Sequence, residues 1–106
     1  MLFRSTVSYY DKSLIDESQF EKFRSLLDDL YPTLTAMAQK HRIETGLLYH
    51  LKGKSEGRPS IYMAHFDVVP VNEEQWDKPA FDAVIENDVL WGRGTLDTKG
   101  TLCSTL

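Results

Sequence analysis

The stretch from residue 63 to residue 100 most constrains how this chain can fold. Near its start an apolar run leads into His65, and near its end a second apolar run is followed, after two glycines, by Asp97. Short apolar runs of this kind are typical of half-buried strands. We therefore predict that two strands deliver His65 and Asp97 to the edge of a sheet.

A β-hairpin is predicted inside this stretch. Residues 81–85 and 89–91 are apolar and strand-like, and Asn87-Asp88 between them is a favourable turn pair. Another helix is predicted from Thr98 onward.

An amphipathic helix is predicted before this stretch, beginning with a capping box in which Ser18 is the N-cap and Glu21 is N3. Because a proline inside a helix costs ~3 kcal/mol, Pro32 should break this element and start a second short helix. The apolar residues of the element recur at steps of three and four: Phe20, Phe23, Leu27, Leu30, Leu34 and Met37.

Two further strands are predicted at residues 43–51 and 60–64, separated by a polar loop at residues 52–59. Helices packed on these strands indicate an α/β fold, a mixed sheet with flanking helices, in one small domain.

Composition excludes several functions. The net charge is −4 and the twelve basic residues are scattered, which argues against a nucleic-acid surface. We expect no membrane span and, from residues 1–4, no signal-peptide core. The single cysteine, Cys103, excludes an internal disulfide and is expected to pack as a small apolar residue. We therefore predict a cytoplasmic protein.

His65 and Asp67 are spaced so that, on a strand, both side chains project to one side while Phe66 points into the packing. A zinc-bound imidazole usually donates its other ring N–H to a carboxylate, so this pair suits a metal site. A surface hydrogen bond is the alternative. His41 and His50 are predicted to be surface residues.

Asp97 is the second candidate ligand. The alternative is a capping role toward the N–H groups of Lys99 and Gly100, and one carboxylate could serve both purposes. Nucleotide binding fits poorly, because Thr98 precedes the lysine where a phosphate loop has glycine.

Several motifs of this stretch occur together in a fixed order: Met63-Ala64-His65-Phe66-Asp67-Val68-Val69-Pro70, Trp76, Pro79-Ala80-Phe81 and Trp91-Gly92-Arg93-Gly94-Thr95-Leu96-Asp97-Thr98-Lys99-Gly100. Together they resemble the di-zinc exopeptidase and amidohydrolase family, which includes carboxypeptidase S, carboxypeptidase G2, aminoacylase, acetylornithine deacetylase and succinyl-diaminopimelate desuccinylase. The form of the first motif favours the carboxypeptidase S branch, and Thr6-Val7-Ser8 extends the similarity toward the N-terminus.

The resemblance implies that His65 ligates one zinc ion, that Asp67 is a catalytic-site residue orienting His65, and that Asp97 bridges two zinc ions. It also implies a cis peptide bond at Asp97-Thr98 and zinc-assisted hydrolysis of the amide bond of a peptide or N-acyl amino acid. We expect packing and loop support from Trp76, Phe81 and Arg93.

The family's Glu-Glu pair, its remaining ligands and its smaller lid and dimerisation domain do not match any part of residues 1–106. We therefore expect this chain to be the N-terminal portion of a zinc-exopeptidase-type catalytic domain, inactive by itself and prone to self-association. The alternative is a non-catalytic binding or oligomerisation module derived from that fold.

Overall fold

The computed structural model describes residues 5–106. The prediction about a signal-peptide core rests on residues 1–4 and lies outside this range. The helices are α1 (Glu17–Leu30), α2 (Pro32–Met37) and α3 (Gly100–Thr105), and the strands are β1 (Gln39–Ile43), β2 (Gly46–His50), β3 (Val84–Glu86) and β4 (Val89–Trp91). Short helical turns lie at Lys12–Leu14, Glu73–Gln75 and Thr95–Lys99.

Helix α1 begins two residues earlier than predicted, so the proposed Ser18–Glu21 capping box is wrong. Asp16 is the N-cap, and its Oδ1 accepts hydrogen bonds from the Ser18 N–H at 3.0 Å and the Ser18 hydroxyl at 2.6 Å. Glu21 instead pairs with two guanidinium groups, those of Arg24 at 2.8 Å and Arg42 at 2.7 Å. These ion pairs occupy the carboxylate that a capping box would need, and they tie α1 to β1.

The break at Pro32 is confirmed, since α1 ends at Leu30 and Pro32 is the first residue of α2. The break at Pro32 also ends the series of buried apolar residues. The α1 residues Phe20, Phe23 and Leu27 are buried, whereas Met37 at the end of α2 is 70% exposed.

The single strand predicted at residues 43–51 is wrong at its start. Strands β1 and β2 form an antiparallel hairpin that pairs Gln39 with His50 and Ile43 with Gly46. Its turn contains Glu44 with φ of 51°. Strand β1 is exposed along its whole length, so it has no alternation of buried and exposed residues that a sequence pattern could reveal. His41 and His50 are both exposed, as predicted.

The strand predicted at residues 60–64 is also wrong, because those residues form no regular element. Three of them are largely exposed: Ile61 (78%), Tyr62 (77%) and Met63 (84%). The loop at residues 52–59 has no regular secondary structure, as expected. The next strand-like contact is a parallel bridge between Val7 and Val68.

The hairpin at Asn87-Asp88 is confirmed, although its first strand begins at Val84 instead of residue 81. Asn87 has φ of 51° and Asp88 has φ of 61°. Two consecutive residues with positive φ define a type I′ turn, whose twist matches that of a hairpin.

The main core lies where α1, α3 and the segment around Phe66 meet, and it contains Phe23, Leu27 and Leu102. Cys103, which follows Leu102 in α3, is exposed, so the prediction that it packs as a small apolar residue is wrong. Within residues 5–106 no helix is long and apolar enough to cross a membrane.

The α/β class is confirmed. Among the described residues, strand pairing is antiparallel in two separate hairpins and parallel at the Val7–Val68 bridge. No continuous sheet joins these pairings within residues 5–106.

Candidate metal centre

The segment that carries His65 and Asp67 is held on one edge by the N-terminal residues. The Val68 N–H donates to the Thr6 carbonyl and the Ser8 N–H donates to the Val68 carbonyl, each at 2.9 Å. The fully buried Thr6 hydroxyl donates to the Phe66 carbonyl. The Phe66 ring stacks on Phe23, with centroids 5.0 Å apart. As predicted, Phe66 therefore points into the packing.

The three predicted site residues, His65, Asp67 and Asp97, meet at the imidazole ring. Nδ1 of His65 lies 3.0 Å from the Asp67 carbonyl oxygen and 3.2 Å from its carboxylate Oδ1. Nε2 on the opposite edge lies 3.0 Å from Oδ1 of Asp97. The fold thus joins residues 32 positions apart in sequence. All three side chains reach solvent, with exposed fractions of 50% for His65, 46% for Asp67 and 83% for Asp97.

Electrostatics at this ring favour its charged form. Partial burial alone would lower the pKa of His65. The hydrogen bonds to the Asp67 carbonyl and to Asp97, together with the charges of both carboxylates, outweigh that effect and raise the pKa above its ordinary value of 6.5. Both ring nitrogens face oxygen acceptors, so an imidazolium can donate to each. A metal ion at Nε2 would replace that proton.

The donor atoms fit a metal ion. An imidazole nitrogen and a carboxylate oxygen are common zinc ligands, and two such atoms bound to one tetrahedral zinc lie ~3.3 Å apart. Nε2 of His65 and Oδ1 of Asp97 are 3.0 Å apart and need only a small adjustment. On the other ring edge, Nδ1 lies against the backbone carbonyl of Asp67 and, slightly farther away, its carboxylate. Oxygen atoms of both kinds orient zinc-bound histidines in proteins. Within residues 5–106 no cluster of three or more potential ligands surrounds a single point.

The loop before α3 presents Asp97 toward His65. The peptide bond between Asp97 and Thr98 is cis, as the resemblance implies. Gly94 adopts a left-handed φ of 89°, and a Cβ atom there would lie 2.8 Å from Cγ1 of Val68. The Lys99 N–H donates to the Gly94 carbonyl at 2.9 Å. The alternative in which Asp97 caps Lys99 is therefore wrong.

The sequence analysis missed two residues that bear on this site. The Thr98 hydroxyl binds both backbone polar groups of His65: it accepts from the N–H at 3.0 Å and donates to the carbonyl at 2.9 Å. Lys99 is completely buried, with its ammonium 5.2 Å from the centre of the Phe23 ring. Burial lowers the pKa of Lys99 to about 8, and the charge of Asp67 acts in the opposite direction.

Little in the sequence could have revealed these roles. Thr98 is flanked by polar residues and belongs to no apolar pattern. Lys99 would have been suggested only by its helical spacing from Leu102, which is buried in α3. Trp76 and Arg93 contact each other, with the Arg93 guanidinium 5.1 Å from the Trp76 ring centroid, as the predicted packing role requires. The supporting role of Phe81 stays a prediction.

Comparisons with known proteins identify the family of this chain. The model of peptidase family M20/M25/M40 matches residues 61–106, which include all three site residues. Over 106 residues, 95% of this chain, the sequence is 32% identical to the probable carboxypeptidase S-like 2 of Dictyostelium discoideum. The chain belongs to the M20/M25/M40 peptidase family.

Other relatives support this membership and the carboxypeptidase S branch of the family. Human N-fatty-acyl-amino acid synthase/hydrolase PM20D1 is 34% identical over 89 residues, covering 80% of this chain and 18% of the human protein. Succinyl-diaminopimelate desuccinylase of Vesicomyosocius okutanii is 49% identical over 47 residues, covering 43% of this chain and 12% of that enzyme. No solved structure gives a significant match.

The chain spans about a fifth of the length of the curated relatives it matches, 18% of the human protein and 20% of the Dictyostelium protein. The segment that matches the family model, residues 61–106, therefore corresponds to only a small part of each of these longer relatives.

Proposed function

We propose that this chain supplies part of the metal centre of a zinc-dependent exopeptidase or amidohydrolase. His65 and Asp97 would hold the metal, His65 as a ligand of one zinc ion and Asp97 as the carboxylate shared between two zinc ions in the complete site. Asp67 orients His65 and is the catalytic residue of this stretch. The observation that carries the proposal is the 3.0 Å approach of His65 Nε2 to Asp97 Oδ1, with Asp67 at the opposite ring edge.

A bound zinc ion would act as a Lewis acid that polarises the amide carbonyl, and it would lower the pKa of water so that a nucleophile is available at neutral pH. The protein's own part is orientation. The Nδ1–H of His65 donates toward Asp67, and this hydrogen bond holds the ring so that Nε2 faces Asp97. The same hydrogen bond makes the imidazole a more basic ligand.

The proposed substrates are peptides or N-acyl amino acids, cleaved at an amide bond as by a carboxypeptidase. Two relatives support this choice through their names, one carboxypeptidase S-like and one a synthase/hydrolase of N-fatty-acyl-amino acids.

Cytoplasmic localisation stays a prediction. The assignment of residues 1–106 to the N-terminal portion of one catalytic domain also stays a prediction.

We further propose that the 106-residue chain alone does not catalyse the reaction. Hydrolysis requires a general base and a complete set of metal ligands. His65 and Asp97 supply two ligands, enough for weak metal binding, and no three-ligand cluster lies within the described residues. Zinc-stimulated release of amino acid from an N-acyl amino acid by the purified chain would overturn this proposal.

Metal binding tests the site directly. Titration with Zn²⁺ or Co²⁺, followed by calorimetry, should show binding to the chain that is weakened at least tenfold in His65→Ala and Asp97→Asn. The matched control is His41→Ala, since His41 is exposed on β1 and far from Asp97 in sequence. Equal affinity in His65→Ala and His41→Ala would refute the assignment of His65.

A second candidate function, a binding or oligomerisation module, is favoured by one observation. Ile61, Tyr62 and Met63 form an apolar run that is at least 77% exposed for each residue. An extended run with unpaired backbone groups can pair with another chain. Light scattering should show self-association that is reduced in Tyr62→Lys. A strict monomer at concentrations near 100 µM would contradict this second candidate.

A further inference from the structure

We propose that Thr98 is a positioning residue whose hydroxyl fixes the backbone of His65 relative to Asp97. The inference rests on the proposed function for its consequence, metal binding, but its structural part can be tested without metal. Thr98 neither ligates nor touches the reacting atoms in this proposal. It acts through His65.

The contact that carries the inference is a two-point clamp. The Thr98 Oγ1 accepts a hydrogen bond from the His65 N–H at 3.0 Å and donates one to the His65 carbonyl at 2.9 Å. A single side chain thus satisfies both backbone polar groups of a residue 33 positions away. In a β-sheet those two groups would be bound by the main chain of a neighbouring strand.

The clamp complements the hydrogen bonds on the other edge of the same segment. There, main-chain pairing with Thr6 and Ser8 holds Val68, and the Thr6 hydroxyl binds the carbonyl of Phe66. The carbonyls of consecutive residues in an extended segment point in opposite directions, so Phe66 is held from one side and His65 from the other. The backbone that carries the imidazole is therefore restrained on both edges.

This restraint matters because packing does little to fix the two side chains. The His65 side chain is 50% exposed and that of Asp97 is 83% exposed. Asp97 directly precedes Thr98, so the clamp ties the backbone of one proposed ligand to the residue adjoining the other. The clamp thus holds in place the two backbone segments from which Nε2 and Oδ1 approach each other to 3.0 Å. Groups that orient metal ligands typically change metal affinity by about 10–100-fold when they are removed.

The test compares Thr98→Val, which keeps the branched shape and loses the hydroxyl, with Thr98→Ser, which keeps the hydroxyl. Thr105→Val is the matched control, because the Thr105 hydroxyl also donates to a backbone carbonyl, that of Thr101, at 2.8 Å. Circular dichroism of each variant establishes that it is folded.

Two measurements are made on each protein. Without metal, NMR gives the hydrogen-exchange rate of the His65 amide and the ¹⁵N shift of its Nε2. With Co²⁺, calorimetry gives the affinity and the visible spectrum gives the ligand geometry. We expect Thr98→Val to speed exchange of the His65 amide at least tenfold, to shift the Nε2 resonance and to weaken Co²⁺ binding about tenfold or more. Thr98→Ser should restore all of these, and Thr105→Val should resemble the unmodified chain.

The outcomes separate this inference from the proposed function. If His65→Ala binds Co²⁺ as tightly as the unmodified chain, the proposed metal site is wrong. The role of Thr98 is then decided by the two measurements made without metal, the exchange rate of the His65 amide and the ¹⁵N shift of its Nε2. An unchanged Nε2 shift in folded Thr98→Val would overturn the inference. So would Co²⁺ binding that requires His65 yet is equally tight in Thr98→Val.

Discussion

The buried ammonium of Lys99 should make the folded chain less stable at neutral pH than a chain with an uncharged side chain there. Lys99 has no exposed surface, and its pKa falls from an ordinary 10.5 to about 8, chiefly through burial. Each pH unit of such a difference corresponds to about 1.4 kcal/mol. Holding the charge inside the folded protein therefore costs up to about 3 kcal/mol near pH 7.

The sign of the pH dependence follows from proton binding. Between pH 8 and pH 10.5 the unfolded chain keeps its proton at Lys99 while the folded chain loses it, so the free energy of unfolding rises with pH. Below pH 8 both states are charged and the full cost applies. By this linkage, about 2 kcal/mol of the cost should disappear between pH 7 and pH 9.5.

The perturbation is Lys99→Met, because methionine is unbranched, apolar and adaptable enough to replace the lysine stem. We expect Lys99→Met to raise the free energy of urea unfolding by up to about 3 kcal/mol near pH 7. The advantage over the unmodified chain should shrink as pH rises. Lys22→Met, at an exposed position of α1, is the matched control and should show neither effect.

Two results would refute this reasoning. Lys99→Met could prove less stable than the unmodified chain near pH 7, which would mean that the interactions of the ammonium, among them its contact with the Phe23 ring and the charge of Asp67, outweigh its desolvation. Alternatively, the difference between the two proteins could stay constant from pH 7 to pH 9.5, which would place the pKa of Lys99 outside that window.

Three further predictions concern the fold. Phe23→Ala should lower the free energy of urea unfolding by about 3–5 kcal/mol because Phe23 is completely buried, while Phe23→Leu should cost less than that. Asp88→Gly should raise the melting temperature, since glycine adopts the φ of 61° found there more readily than aspartate, and Asp88→Ala should not. Hydrogen bonding by Ser18 lowers the pKa of Asp16 below its ordinary value of 3.8. The capping contribution to α1 helicity should therefore be present above about pH 3.8 and be lost as the pH falls through the lower pKa of the folded state. Asp16→Asn should keep the cap without this pH dependence, which circular dichroism at 222 nm can follow.

Sequence reasoning located the parts of this fold that depend on local chemistry. The break at Pro32 follows from the geometry of proline, and the Asn87-Asp88 turn follows from the tolerance of these residues for positive φ. His65 and Asp67 were paired correctly because an extended backbone sends alternate side chains to the same side.

Local patterns failed where tertiary contacts decide the structure. Strand β1 is held by pairing with β2 and has no buried face, so periodicity could not predict it. Residues 60–64 have the composition of a buried strand, yet Ile61 and Met63 are exposed, because within residues 5–106 no strand pairs with them. The apolar runs predicted that His65 and Asp97 lie at one sheet edge, but no local rule joins residues 32 positions apart, and only the family resemblance implied that the two side chains share a site.

The contact between Thr6 and Phe66 has a consequence for the order of folding. It joins residues 60 positions apart, whereas α1, α2 and the β1–β2 hairpin use contacts that are available once the first fifty residues have been synthesised. Closing a loop of that length carries an entropic cost that scales to about 3.6 kcal/mol, beyond a constant term. On a ribosome, the helices and the first hairpin can therefore form while Thr6 still has no partner. The backbone around His65 acquires its support from the N-terminal segment only after Val68 has been synthesised, so this support is among the late events of folding.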